Sequence, residues 1–311
     1  MTGTRRSLIS LRDLTAAQLT CLVEAAVRVA DDPGAVPPTL TGTVVATLFE
    51  RTSTRTRTAF GVAALRLGAQ VLDYGPASLQ TNTGESAEDT ARILGLMLDG
   101  VVIRSTRTVA ELARMRDAGN LPLINAMARE EHPTQAVCDL ATLRRHRGTL
   151  DGIRVLYVGE GNNTASALAY ALARIPGAEL TLYTPPGYGL DAASLAAAEK
   201  DAVPGARVRQ THERDELPDT ADCVYTTRWQ TTGTVKEDPL WRQTFRPFHI
   251  DEDFLSRWPQ AVFLHDLPAH RGEEVSAAVL DSPRSLVWQQ ARMKLDSATA
   301  VLQTFWGTST T

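Results

Sequence analysis

Short runs of consecutive apolar residues alternate along this chain with longer stretches in which apolar positions recur every three or four residues. The first pattern marks strands buried on both faces and the second marks helices lying over them, so the alternation predicts an α/β fold with parallel strands. Thr15-Ala16-Ala17-Gln18 has the spacing of a capping box and predicts a helix to about Ala30. The run Thr43 to Phe49 predicts a buried strand, followed by a polar loop and a helix carrying Phe60, Ala64, Leu65 and Leu67. A short strand over Gln70 to Leu72 precedes the Gly/Asn/Thr-rich stretch Gly75 to Gly84, expected to be a mobile loop. Ser86-Ala87-Glu88-Asp89 caps the next helix; a strand over Gly100 to Ile103, a helix from Val109, a strand over Leu121 to Ile124 and a helix from Pro133 complete a first half.

A second unit is predicted from about Gly152. Its strands are Ile153 to Val158, Glu179 to Tyr183, Arg207 to Arg209, Asp222 to Tyr225 and Ala261 to Leu264, and its helices run over Ala165 to Arg174 and Ala192 to Lys200. The polar segment Thr226 to Arg246 is too long for a routine connection and is expected to be a functional loop. A closing helix runs from Leu286 to about Trp306.

Composition changes this picture little. With 311 residues, 43% hydrophobic and 22% charged, the chain reads as an ordinary soluble globular protein long enough for two domains. A net charge of −4 argues against nucleic acid as the main partner, while leaving room for local basic patches. No N-terminal apolar run with a cleavage site and no bilayer-length apolar stretch is present, so a cytoplasmic protein off the membrane is expected. Cys21, Cys138 and Cys223 stand singly inside apolar segments, which predicts buried free thiols rather than a metal site or a disulfide.

Candidate chemistry gathers at the carboxyl ends of the predicted strands, where ligands bind in open α/β sheets. Ser53-Thr54-Arg55-Thr56-Arg57-Thr58 follows the first strand and opens a helix, placing backbone N–H groups, hydroxyls and two guanidinium forks around an anion position. The same composition also suits a solvated basic helix start, and the segment by itself leaves both open. Arg104 ends one strand, His132-Pro133-Thr134-Gln135 follows another, and His265-Asp266-Leu267-Pro268 follows a third. Four polar clusters at strand ends converge on one kind of site.

The Ser53-Thr54-Arg55-Thr56-Arg57 run, Gly84-Glu85-Ser86 with Asp89-Thr90, His132-Pro133-Thr134-Gln135, Gly159-Glu160-Gly161-Asn162-Asn163, and His265-Asp266-Leu267-Pro268-Ala269 with Arg271-Gly272-Glu273-Glu274-Val275 span nearly the whole chain. In this order they resemble the aspartate/ornithine carbamoyltransferase family. The resemblance implies two doubly wound parallel-sheet domains: a carbamoyl phosphate-binding domain over 1–148 plus 288–311, with the C-terminal helix packing back on it, and an amine-binding domain over 149–287. It implies transfer of a carbamoyl group from carbamoyl phosphate to a primary amine, giving a ureido product and phosphate without metal, covalent intermediate or organic cofactor. Carried over, Ser53, Thr54, Arg55 and Thr56 hold the phosphate; Thr56, Arg104 and His132 polarise the carbamoyl carbonyl; Gln135 binds its amide; and Leu267 and Lys294 join the carbamoyl phosphate site. The family forms trimers with sites at subunit interfaces, where Gln80 is expected to reach the neighbouring subunit's site.

The acceptor side departs from both well-known branches. Asn162 and Asn163 match the ornithine branch, and Tyr225 to Gly233 aligns with its Tyr-Thr-Asp-x-Trp-x-Ser-Met-Gly loop, yet Thr227 stands where that branch has an Asp. Arg228 and Gln230, followed by Thr231, resemble instead the carboxylate-binding Thr-Arg-x-Gln of the aspartate branch. Asp266 replaces the Cys of one branch and the Pro of the other, and is expected to bind, orient or deprotonate the attacking amine. Lys294 replaces an Arg, keeping the charge without the fork. On these departures the expected acceptor is a diamino acid or specialised biosynthetic intermediate other than ornithine, with ornithine and citrulline formation as the alternative. A nucleotide-binding dehydrogenase fails because Thr164 stands at the third glycine of its fingerprint and no acidic residue ends the next strand. A non-catalytic carbamoyl phosphate-binding homologue is argued against by the intact Arg55, Arg104, His132 and Gln135.

Overall fold

The computed structural model describes residues 6–76, 78–231 and 234–308. It divides into two compact units, Met1–Ala141 with Met293–Thr311, and Thr142–Arg292. The dividing points fall inside helices, several residues from the predicted domain bounds, because each of those helices begins in one unit and ends in the other.

In the first unit, α1 (Ala16–Asp31) opens on a true capping box: Thr15 Oγ1 accepts from Gln18 N–H while the Gln18 side chain accepts from Thr15 N–H. Its buried stripe, Leu19, Leu22, Val23 and Ala26, has helical spacing, and Cys21 falls off that stripe. Cys21 is therefore exposed, against expectation, while Cys138 and Cys223 are buried. β1 (Val44–Phe49), α2 (Arg55–Arg66), β2 (Gln70–Tyr74), α3 (Ala87–Gly95), β3 (Gly100–Arg104), α4 (Val109–Gly119), β4 (Leu123–Asn125) and α5 (Pro133–Arg147) follow. The four strands pair parallel in the order β2-β1-β3-β4. β4 starts two residues later than predicted, since Leu121 N–H closes the end of α4 on Arg116 O and Pro122 has no N–H to give the ladder. The predicted mobile loop holds a 3-10 turn over Gln80–Thr83.

The second unit carries β5 (Arg154–Val158), α6 (Asn163–Leu172), β6 (Glu179–Tyr183), α7 (Ala192–Lys200), β7 (Arg207–Thr211), β8 (Cys223–Thr226), α8 (Trp241–Phe245), α9 (Glu252–Ser256), β9 (Val262–His265) and α10 (Ala277–Leu280). Its sheet is parallel throughout, in the order β7-β6-β5-β8-β9. Strand order reverses beside β5, the switch point where open sheets leave a crevice for ligands. The final helix, α11 (Val287–Trp306), contributes Met293 onward to the first unit. There Trp306 lies against β3: a Cβ on Gly100 would come within 2.8 Å of its ring, so only glycine allows that approach. Trp306 Nε1 donates to Arg6 O at 3.1 Å, satisfying the indole as it buries.

Candidate active site

Because β1, β3 and β4 run parallel, their carboxyl ends share one edge of the first sheet, with Phe49 opposite Arg104 and Ile103 opposite Asn125. α2 starts at this edge. Its N-cap, Thr54, has helical backbone angles and makes no side-chain cap bond to the first turn, which carries Arg55 and the buried Thr56. Arg57 turns away from that position: its guanidinium is 3.0 Å from Asp73 and lies over the Phe49 ring.

α5 starts at the same edge. His132, Thr134 and Gln135 are all buried there, and the preceding segment is tied down by Glu131, whose carboxylate accepts from Leu11 N–H at 2.7 Å. Lys294, on α11, donates to Gln135 Oε1, and Gln135 Nε2 donates to Asp139 at 2.7 Å. Thr56, Thr134 and Lys294 line one small cavity of about 10 Å³, enough for a single water. His132 is held well below its ordinary pKa, first by burial and then by the positive charges of Lys294 and Arg104. The imidazole is therefore neutral at physiological pH and has one ring N–H to donate. Positive charge from Arg104 and Lys294, a neutral imidazole and the start of α2 together suit a phosphate-bearing ligand with a carbonyl to polarise. Gln80 stands apart from this cluster, exposed in its 3-10 turn and bonded to Thr83.

In the second unit β5, β8 and β9 are neighbours, so the segments after Val158, Thr226 and His265 emerge side by side. Asp266 is the centre of this edge. Its Oδ1 accepts from Thr227 Oγ1 and its Oδ2 from Thr164 Oγ1, each at 2.9 Å. The carboxylate thus faces two hydroxyl donors, Thr227 just past the end of the neighbouring β8 and Thr164 in the first turn of α6, which follows β5. Asn162 is occupied as the N-cap of α6, accepting from Thr164 and Ala165 N–H and donating to Thr231 Oγ1 at 3.0 Å. Asn163 is buried in the first turn of α6. Gln230 Nε2 donates to Thr234 O at 2.7 Å, within its own loop. Arg228 is half-buried, and its guanidinium has no hydrogen bond or ion pair among the described residues. Thr232 and Gly233, which close the loop alignment, lie outside the described residues.

Several contributors were not visible in the sequence. Glu160 accepts from Thr231 N–H and Oγ1 and pairs with Lys236, whose ammonium sits over the rings of Tyr188, Trp241 and Phe245. These contacts fold the long loop around its own aromatic cluster. Gly161 has a packing role: a Cβ there would meet Leu190 N at 2.2 Å, so this turn closes on its own chain. Among the described residues no cluster of three or more His, Cys, Asp or Glu side chains is placed to hold a metal ion, and no helix is long and apolar enough to cross a membrane.

Residues 6–145 match the profile of the aspartate/ornithine carbamoyltransferase carbamoyl-P binding domain, and residues 151–305 match that of the Asp/Orn binding domain. The ornithine carbamoyltransferase of Gloeobacter violaceus is 38% identical over 305 residues, covering 97% of this chain and 96% of its own. The anabolic ornithine carbamoyltransferase of Pyrococcus furiosus is 36% identical over 308 residues, at 97% and 96% coverage. Among solved structures, ornithine carbamoyltransferase from Pyrococcus furiosus superposes with a TM-score of 0.90 at 34% identity, covering 98% of each chain. That from Gloeobacter violaceus gives 0.86 at 36% identity, covering 97% of this chain and 99% of its own. With both domain profiles matched in order and relatives aligned from end to end, this chain belongs to the aspartate/ornithine carbamoyltransferase family.

Proposed function

We propose that this protein transfers the carbamoyl group of carbamoyl phosphate to the side-chain amine of ornithine, forming citrulline and phosphate. The observation that carries the donor half is the convergence of Arg55, Thr56, Arg104 and His132 at one sheet edge with Lys294 and Gln135 bonded beside them. The names of the relatives carry the acceptor half.

In this reading the helix start at Ser53, Thr54, Arg55 and Thr56 takes the phosphate oxygens. Arg104, Thr56 and the neutral His132 donate to the carbamoyl oxygen. The amine adds to the carbonyl carbon, negative charge collects on that oxygen, and fixed donors stabilise it without having to reorganise. The C–O bond to phosphate then breaks, and the departing phosphate accepts the amine proton. Gln135 presents its side chain to the carbamoyl amide, with Asp139 and Lys294 holding it in one orientation. Leu267 completes the donor site, and Gln80 serves a neighbouring subunit in a homotrimer, as the family resemblance implies. Asp266 and Arg228 supply the acceptor's needs: a carboxylate for an ammonium, and, for a carboxylate, a guanidinium with no hydrogen bond or ion pair among the described residues. Asn162, Asn163, Thr227, Gln230 and Thr231 frame them.

An acceptor other than ornithine gains nothing from the Gloeobacter violaceus and Pyrococcus furiosus relatives, both of which are named for ornithine. One local observation favours it as a second reading: the acceptor-side carboxylate stands just after β9 at Asp266, and its neighbour just after β8 is the hydroxyl of Thr227. Moving a charge across one strand spacing of about 5 Å alters which amine geometry fits. Purified protein supplied with carbamoyl phosphate and L-ornithine should release phosphate and citrulline in equal amounts. Phosphate release with another diamino acid but not with ornithine selects the second reading, and no ureido product from any amine refutes both.

A further inference from the structure

One buried polar chain in the second unit has no role in the site as described so far. His265, the last residue of β9, and Glu274 both have fully buried side chains, with Nε2 3.1 Å from Oε1. Glu274 Oε1 also accepts from His270 N–H, while its Oε2 has no hydrogen-bond partner among the described residues. On the other side of the ring, His265 Nδ1 is 2.8 Å from Leu267 N. A backbone N–H can only donate, so Nδ1 must be the accepting nitrogen and the ring proton sits on Nε2, where it donates to Glu274. The carboxylate selects the tautomer, and the tautomer makes the bond to Leu267 possible.

That bond closes a turn directly over Asp266. Leu267 has φ 55, in the left-handed region that a bulky L-residue rarely occupies unless neighbouring contacts enforce it. Asp266 Oδ1 lies 3.5 Å from the same Nδ1, but a nitrogen already accepting from Leu267 cannot donate to it. The carboxylate turns instead to the hydroxyls of Thr164 and Thr227. From the opposite direction, His265 N–H donates to Gln290 Oε1 at 3.0 Å, fixing the end of β9 before the turn.

We propose that Glu274 and His265 act as a positioning pair, in which Glu274 fixes the imidazole tautomer and His265 Nδ1 holds the Leu267 backbone so that Asp266 is presented to the acceptor amine. Neither residue touches a reacting atom. The activity readout rests on the carbamoyl-transfer reading, so a second readout independent of turnover accompanies it.

The test replaces His265 in two ways. Asparagine reaches only the Nδ1 position and keeps an acceptor for Leu267 N–H; glutamine reaches the Nε2 position and keeps only the donor to Glu274. His265→Asn should retain kcat within about 10-fold of the unsubstituted protein, and His265→Gln should lose about 100-fold or more. The KM for carbamoyl phosphate should stay within about 2-fold in both. Glu274→Gln, whose carbonyl can still accept the Nε2 proton, should outperform Glu274→Leu in the same assay. Nitrogen-15 NMR of the His265 ring in the unsubstituted protein should show an unprotonated Nδ1 and a protonated Nε2, and in Glu274→Leu a mixture of tautomers. A protonated Nδ1, or equal losses in His265→Asn and His265→Gln, overturns the proposal. If no amine is carbamoylated by the unsubstituted protein, the functional reading falls while the ring spectrum still decides the tautomer.

Discussion

The two sheet edges are built alike and used differently. In the first unit, the strand ends and the helices beside them deliver cationic and N–H donors whose neighbours are themselves donors or held amides: Arg104, Lys294, neutral His132 and the start of α2. In the second unit, the strand ends deliver a carboxylate, Asp266, ringed by hydroxyls, and a guanidinium, Arg228, with no ion pair among the described residues. The first edge suits one small, highly charged anion. The second offers both signs of charge and suits a zwitterionic amino acid. A family can therefore keep its donor while its acceptor drifts, because exchanging one side chain at the second edge leaves the first intact.

The largest effect should come from breaking the donor edge. Arg104→Leu removes the donor proposed for the carbamoyl oxygen and should lower kcat/KM by about 10²–10³-fold with every productive amine. A loss confined to one amine would place Arg104 on the acceptor side. Asp266→Asn keeps the shape of the second edge and removes its negative charge. Turnover should fall by roughly 10–100-fold while carbamoyl phosphate affinity, measured by calorimetry, is unchanged. An unchanged rate would remove Asp266 from the chemistry.

A smaller effect is expected from Lys236→Met, which leaves the partly buried Glu160 carboxylate without its ammonium. The cost should be on the order of 2 kcal/mol in denaturant unfolding, with a raised KM for the acceptor and little change for carbamoyl phosphate. Equal changes in both KM values would show that the loop is not specific to the acceptor. The smallest effect is a pH dependence. His132 has a lowered pKa in the folded chain, so below its unfolded value of 6.5 the unfolded state binds more protons. Stability should fall as pH drops below that value, by up to about 1.4 kcal/mol per pH unit from this group. His132→Asn should flatten that part of the unfolding curve, and an imidazole seen by NMR to titrate at its ordinary value would contradict it.

The features legible in the sequence were those with local causes. Apolar runs located the strands, and polar residues immediately after them marked the edges, because chain direction alone puts those residues at the carboxyl end of a parallel sheet. Thr164 shows the limit of such reading: as a letter it only spoils a dinucleotide fingerprint, while in the fold it donates to Asp266 from the first turn of α6, after β5. Glu274 and Lys236 were hidden for the same reason, since their partners His265 and Glu160 are set by packing rather than by spacing. Cys21 and the start of β4 were misread through local effects, one a residue just off the buried stripe of α1, the other a proline at the strand boundary. Asn162, a candidate acceptor ligand by its match to the ornithine branch, is used to cap α6.

The most direct test of this division of labour is a panel of amines at saturating carbamoyl phosphate: ornithine, lysine, diaminopropionate, putrescine and aspartate, with ureido product and phosphate measured together. The account predicts turnover with ornithine or another diamino acid, one phosphate for each ureido product, and a carbamoyl phosphate KM that stays within about 2-fold across productive amines. Turnover with aspartate alone, or a carbamoyl phosphate KM that changes with each amine, would contradict it.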